Sequence, residues 1–356
     1  MSAGKVAGKS KGDTVNSRHF LNTQDWSRRE LDALLDKARE FRHSRLGNDL
    51  HGKSIALLFF NPSMRTRTSF ELGAHQLGGK AIVLAPGKDA WPIEFEIGTV
   101  MDGETEEHVA EVARVLGRYV DLIGVRAFPK FQEWSVDRED RVIQAFAKYS
   151  PVPVINMDTI THPCQELAHI MALQQHLGAD LRRRKYVLTW TYHPKPLNTA
   201  VANSALQIAT RYGMDVTLLC PNEEYLLDPR YMEFARRNVA ENGGSLTVSH
   251  DMESAYRDAD VVYAKSWGAL PYFGRWDQEK PMRDAHRHFI VDEAKMALTN
   301  KGLFSHCLPL RRNVKATDAV MDSASCIAID EAENRLHVQK AIMAALAAQP
   351  GSGTGD

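Results

Sequence analysis

Short apolar runs alternate along this chain with segments whose apolar residues recur every three or four positions. The runs at 53–60, 81–84, 122–126 and 154–156 have the length and continuity of strands buried on both faces. Ahead of them, the spacing of Leu31, Leu34 and Leu35 predicts a helix over 28–42, capped by Ser27 with Glu30 in the capping-box position. Further helices are predicted from Ser63 to a stop at Gly78-Gly79, and over 106–118, 138–149 and 162–177. After the basic stretch Arg182-Arg183-Arg184-Lys185 the alternation restarts. Strands are predicted at 186–190, 216–220, 246–249 and 261–265, and helices at 198–212, 231–242 and 252–257. Short apolar runs follow at 288–292, 303–306 and 327–329, and a helix over 333–348 closes the pattern.

Strands alternating with helices imply parallel sheets built from βαβ units. The restart near 182 divides the chain into two α/β domains, each a parallel sheet flanked by helices. Residues 18–161 form the first, with the closing helix 336–349 packing back on it, and residues 162–335 form the second. Residues 1–17, rich in Lys, Gly and Ser, read as a disordered tail. A ligand belongs in the interdomain cleft, outside the carboxyl ends of the strands.

Composition narrows the function classes. Hydrophobic residues make up 44% of the 356 and charged residues 25%, the balance of a soluble protein with real cores. With 44 basic and 45 acidic residues there is no excess of positive charge for nucleic acid, and no apolar run is long enough to span a membrane. Cys164, Cys220, Cys307 and Cys326 are irregularly spaced without a CxxC pair, so neither a disulfide framework nor a zinc site is expected. A cytoplasmic location follows as the expectation.

The strongest local chemistry is the strand-to-helix junction Asn61-Pro62-Ser63-Met64-Arg65-Thr66-Arg67-Thr68-Ser69. A helix start leaves backbone N–H groups unpaired and carries the positive end of the helix dipole. Hydroxyls from Ser63, Thr66, Thr68 and Ser69 and the guanidinium groups of Arg65 and Arg67 suit phosphate oxygens. At the carboxyl end of a strand this reads as an anion site, against the plainer alternative of a capped helix with exposed arginines. Neither a GxxxxGK[ST] loop nor a GxGxxG turn is present, which favours a phosphate smaller than a nucleotide. Arg126 ends an apolar strand and is a second candidate anion ligand. His162 precedes a proline at a predicted helix start, where it is either a donor to substrate or an ordinary cap residue.

Residues 63–71 resemble the carbamoyl-phosphate signature of the aspartate/ornithine carbamoyltransferase family, usually Ser-Thr-Arg-Thr-Arg. His162-Pro163-Cys164-Gln165 is similar to its His-Pro-x-Gln, and His306-Cys307-Leu308-Pro309 matches the His-Cys-Leu-Pro of the ornithine branch. The resemblance implies that carbamoyl phosphate contacts Ser63, Met64, Arg65, Thr66, Arg126, His162, Pro163, Cys164, Gln165, Cys307, Leu308 and Arg335. Trp91 would reach the site of a neighbouring subunit in a homotrimer with shared active sites. Arg126, His162 and Thr66 would polarise the carbamoyl carbonyl in the manner of an oxyanion hole. Backbone groups of Cys307 and Leu308 would meet the carbamoyl amide and the attacking amine, with no covalent role for the Cys307 thiol. No metal or organic cofactor is implied.

Lys265-Ser266-Trp267-Gly268 stands where ornithine enzymes usually carry Ser-Met-Gly. Together with Lys88-Asp89-Ala90-Trp91-Pro92 and the stretch 311–318, it resembles the branch of some bacteria that acts on N-acetylornithine in arginine synthesis. This implies an acceptor site formed by Asp158, Lys265 and Leu308. Asp158 occupies a position where that branch is expected to carry glutamate. Glu106 would set specificity, since a carboxylate there repels a succinyl group and tolerates an acetyl methyl. Lys315 would be a carboxylated lysine, which requires a neutral amine. The same branch implies a deep knot in the second domain, with a segment near 265–271 threading the Pro-stiffened loop 190–198. The alternatives are a succinylornithine or an ornithine carbamoyltransferase, or a phosphometabolite sensor on the same fold.

Overall fold

A computed structural model describes residues 18–349. The expected tail 1–17 lies outside the described residues. The first sheet holds β1 (Ser54–Phe59), β2 (Lys80–Leu84), β3 (Leu122–Arg126) and β4 (Val154–Asp158), all parallel, in the order β2-β1-β3-β4. Helices α1 (Arg28–His43), α2 (Met64–Gln76), α3 (Val109–Tyr119), α4 (Arg141–Tyr149) and α5 (Pro163–Leu177) accompany it. The second sheet holds β5 (Lys185–Trp190), β6 (Asp215–Leu219), β7 (Ser245–Ser249), β8 (Val261–Lys265) and β9 (Leu303–Ser305), parallel in the order β9-β8-β5-β6-β7. Its helices include α6 (Ala200–Arg211), α7 (Pro229–Asn242) and α8 (Trp276–Ala285); α9 (Ala328–Ala347) closes the described chain. The two-domain α/β architecture with parallel sheets is therefore as the alternation implied.

The strand orders decide where chemistry can sit. In the first sheet the chain runs outward from β1 to β2 and then returns to β3 on the other side of β1. In the second it runs outward from β5 to β7 and returns to β8 on the other side of β5. Each reversal leaves a crevice at the strands' carboxyl ends, unoccupied by a crossover helix. Met64 opens α2 just beyond β1, Arg126 ends β3 and Lys265 ends β8.

Local differences from the sequence pattern have identifiable causes. The helix expected from 106 begins at Val109, because Glu107–His108 pairs with Ile93–Glu94 and His108 caps the helix through its side chain. The helix expected over 138–149 begins at Arg141 as α4, because Asp140 at φ 50 breaks the chain between it and a short preceding helical turn at Trp134–Asp137. The apolar runs at 288–292 and 327–329 are not strands: Val291 makes one isolated bridge to Ala316, and Ala328 begins α9. That closing helix starts at Ala328 rather than 333 or 336. It packs along α1, α2 and α5. α8 was not foreseen, since Pro281 lies inside it and removes an interior helix donor. The backbone at 265–268 lies against the loop after β5: Thr191 N donates to Lys265 O (2.9 Å), Gly268 N to Leu197 O (3.1 Å), and Trp190 Nε1 to Trp267 O (2.9 Å).

Candidate active site

A cleft of about 790 Å³ lies where the two sheets' reversal points face each other. Ser63 is extended and caps α2, its Oγ accepting from Thr66 N (3.1 Å), which turns Arg65 and Thr66 into the cleft. Thr66 is fully buried, and its Oγ1 accepts from Arg335 Nη2 at 2.8 Å, so α9 delivers a cation to the start of α2. Arg126 arrives from β3, with Nη1 bonded to Asp158 Oδ2 at 2.6 Å. The Nε atoms of Arg65, Arg126 and Arg335 are buried without a partner among the described residues. Among the described residues, Asp158 is the one carboxylate lining a cleft that also holds these three arginines and Lys265. Unspent donors and positive charge in excess of the one carboxylate suit this end to an anion.

Arg67 and Thr68 are not part of it. Arg67 is more than half exposed and pairs with Glu71 at 3.5 Å. On a helix each residue turns about 100°, so positions two apart face nearly opposite ways and only one of the two arginines can enter.

β4 ends in Asp158, and the chain then reaches His162, which precedes Pro163 at the first position of α5. His162 is held by its own N–H donating to Ser204 Oγ at 2.7 Å. Burial, reinforced by Arg335, Arg126 and Lys265, keeps its imidazole well below its ordinary pKa. It is therefore neutral, with one ring N–H to give. Gln165, one turn on, also lines the cleft. Pro163 and Cys164 do not: Cys164 is wholly buried, with Sγ directed at Asn156 O (3.6 Å), and burial pushes its thiol up to about 12. Asp158 is raised by burial against the pull of Arg126, Lys265 and Arg335.

The far end of the cleft comes from the second domain. Lys265 Nζ lies 3.6 Å from Cys307 Sγ. Leu308 adopts φ 53 before a cis peptide to Pro309, and its N–H is engaged by His306 Nδ1 at 2.8 Å. That leaves the carbonyls of Cys307 and Leu308 as the acceptors this turn can offer a donor. Lys315 is 2% exposed, and burial, with Lys265 and Arg311 nearby, lowers its pKa to about 7. Arg311 lines the cleft, whereas Arg312 faces outward onto Asp318 and Asp322.

Sequence reasoning missed His193 and Asn198. Burial holds His193 down at about 4, and Asn198 is anchored by Nδ2 to Thr159 O (2.7 Å). The signal available was the Pro-stiffened loop containing both, noted for its stiffness and not as cleft wall. Trp91 and Glu106 do not line the cleft of this chain. Trp91 is 65% exposed beside a separate apolar hollow formed by Leu84, Pro86, Ile93 and Val112, and Glu106 is exposed on the same domain.

Two family models match the chain: the aspartate/ornithine carbamoyltransferase carbamoyl-P binding domain over residues 18–175, and the Asp/Orn binding domain of the same family over 196–346. An N-acetylornithine carbamoyltransferase of Xanthomonas axonopodis pv. citri is 79% identical over 340 residues, 95% of this chain and 99% of that protein. An N-succinylornithine carbamoyltransferase of Bacteroides fragilis is 36% identical over 300 residues, 84% of this chain and 88% of that one. The crystal structure of an acetylornithine transcarbamylase complexed with acetylcitrulline superposes with a TM-score of 0.93 at 79% identity, covering 93% of this chain and all of that one. The chain belongs to the aspartate/ornithine carbamoyltransferase family.

Proposed function

We propose that this enzyme transfers the carbamoyl group of carbamoyl phosphate to the δ-amine of N-acetyl-L-ornithine, giving N-acetyl-L-citrulline and phosphate. The observation that carries the reading is the cleft's division: a cationic end with unspent donors from Arg65, Arg126 and Arg335, and an opposite end walled by Lys265, Leu308 and the buried Lys315. The near-full-length identity of 79% to an N-acetylornithine carbamoyltransferase selects the acceptor over the succinyl branch, at 36%.

The steps follow from the donors. The phosphate rests on Arg65, Arg126, Arg335 and the start of α2. The carbamoyl oxygen meets Thr66, Arg126 and the neutral His162, so charge developing on it is met by oriented donors. The acceptor's δ-amine attacks in its neutral form; the new C–N bond forms, the C–O bond to phosphate breaks, and the amine's proton passes to the departing phosphate. Carbonyls of Cys307 and Leu308 orient the amine and the carbamoyl N–H. Lys265 balances the acceptor's α-carboxylate. Asp158 acts chiefly by holding Arg126, the bond it already makes. Lys315, a neutral amine above about pH 7, is able to take up carbon dioxide as a carbamate.

The same reading has three copies share their sites. Trp91, Ile97 and Val100 are large apolar side chains at 65%, 68% and 78% exposure on one domain, and Glu106 lies beside them in sequence. A neighbouring copy seated there would receive Trp91 and Glu106 at its own cleft. The reading places the enzyme in cytoplasmic arginine synthesis; no described helix is long and apolar enough to cross a membrane. Product detection with ornithine, N-acetylornithine and N-succinylornithine in parallel is the test. Faster turnover of either other acceptor overturns the assignment.

A further inference from the structure

Glu331 lies in the first turn of α9, four residues before Arg335, and is wholly buried. It takes hydrogen bonds from four side chains. Oε1 accepts from Gln165 Nε2 and from the Tyr263 hydroxyl (3.0 Å). Oε2 accepts from His169 Nδ1 (2.8 Å) and from Ser305 Oγ. Burial works to raise its carboxyl, but the His169 ring and the Ser305 and Gln165 donors prevail and hold it below the ordinary value. It is therefore an ionised carboxylate that accepts and never donates.

That charge has a consequence one residue away. A glutamine amide has two ends of nearly equal shape, and its neighbours decide which end points where. Gln165 gives Nε2 to Glu331, while its Oε1 is buried without a partner and the side chain lines the cleft. Turning the amide over would set its carbonyl oxygen against a carboxylate and present an N–H to the cleft. Glu331 forbids this.

We infer that Glu331 is a positioning residue that locks the Gln165 amide with its oxygen toward the cleft, so that the site selects a carbamoyl group, which carries an N–H, over an acyl group, which does not. This deepens the proposed function and rests on it. An acyl phosphate places a methyl where the carbamoyl nitrogen belongs and leaves Gln165 Oε1 buried and unpaired, a mismatch that polar sites reject strongly.

The test compares carbamoyl phosphate with acetyl phosphate, measured as dissociation constants by calorimetry on the full chain. Glu331→Gln puts an amide N–H where Gln165 now finds only acceptors, and frees Gln165 to turn over. The preference for carbamoyl over acetyl phosphate should fall about tenfold, with affinity for inorganic phosphate unchanged. Gln165→Met removes the acceptor directly, and in that background Glu331→Gln should have no further effect on the preference. Ser305→Ala removes a different donor to the same carboxylate, and should lower stability while keeping the preference. A folded E331Q protein with the wild-type preference overturns the inference, as does an equal loss in the Q165M background. If E331Q does not fold, Glu331→Asp, which draws the charge away from Gln165, is read the same way. Absence of N-acetylcitrulline from the wild-type reaction would sink the proposed function alone, since the binding preference is measured without turnover.

Discussion

Replacing Arg335 by methionine should separate binding from stability. Arg335 is 4% exposed, its Nη2 bonds Thr66 Oγ1 at 2.8 Å, and its Nε has no partner among the described residues. Burial, opposed by Cys164 and Asp158 and reinforced by Arg126 and Arg65, lowers its pKa. A cation in that position is costly for the empty protein and useful only when an anion arrives. Methionine fills similar volume without the charge. Its loss removes one charge-assisted bond to phosphate, worth about 1.5–3 kcal/mol, or roughly 10- to 150-fold in affinity. Two unit charges 4 Å apart near a protein surface attract by about 4 kcal/mol, which bounds the effect from above. The unliganded protein loses the charge-assisted bond to Thr66, about 1.5–3 kcal/mol, but sheds the desolvation cost of the buried cation and its repulsion from Arg126 and Arg65, which offset much of that loss.

Calorimetric titration with inorganic phosphate, together with melting curves with and without it, reads both quantities. The Kd should rise by at least about tenfold. The ligand-induced rise in Tm should shrink accordingly. The unliganded Tm should fall by no more than about 4 °C and serves as the internal control. A Kd within twofold of wild type would show that Arg335 does not face the anion. A collapse of the unliganded Tm would show that the cation is part of the fold rather than held ready for a ligand.

Four further outcomes follow from the same geometry. Arg67→Ala should leave the KM for carbamoyl phosphate within about twofold, because Arg67 faces Glu71 on the side of α2 away from the cleft; a tenfold rise would place it in the site after all. Lys315 has a folded pKa of about 7, below its unfolded value near 10.5, so the unfolded chain binds the extra proton between those limits and stability rises with pH across that window. The urea midpoint of wild type should therefore climb from about pH 7.5 to about pH 9.5 more steeply than that of Lys315→Met, by at most about 1.4 kcal/mol per pH unit, and equal slopes would contradict a neutral buried amine. With ¹³C-labelled carbon dioxide, a carbamate resonance should grow at alkaline pH in wild type and be missing from Lys315→Arg. Glu106→Ala should raise kcat/KM for N-succinylornithine relative to N-acetylornithine by about tenfold, as a like charge is removed; an unchanged ratio would take specificity away from that position.

What could be read from the sequence and what could not divide along a physical line. Arg126, Lys265 and Cys307 stand at or just beyond the ends of apolar strands, and apolar runs are the clearest pattern a chain carries, so the cleft's walls were legible. Arg67, Pro163 and Cys164 were drawn in because motif residues were treated as neighbours in space. A helix start admits only part of such a run: Ser63, Met64, Arg65 and Thr66 from one motif, His162 and Gln165 from the other. The opening of α9 was misread for a related reason. Its first turns bury Glu331, Asn334 and Arg335, and buried polar residues erase the apolar periodicity by which a buried helix is recognised. A helix of ordinary amphipathic character would have been placed correctly and would have brought no charge to the cleft. The stretch least legible as structure is thus the one whose side chains reach furthest into function: Arg335 to Thr66 and Glu331 to Gln165, each joining the end of the chain to a motif far upstream.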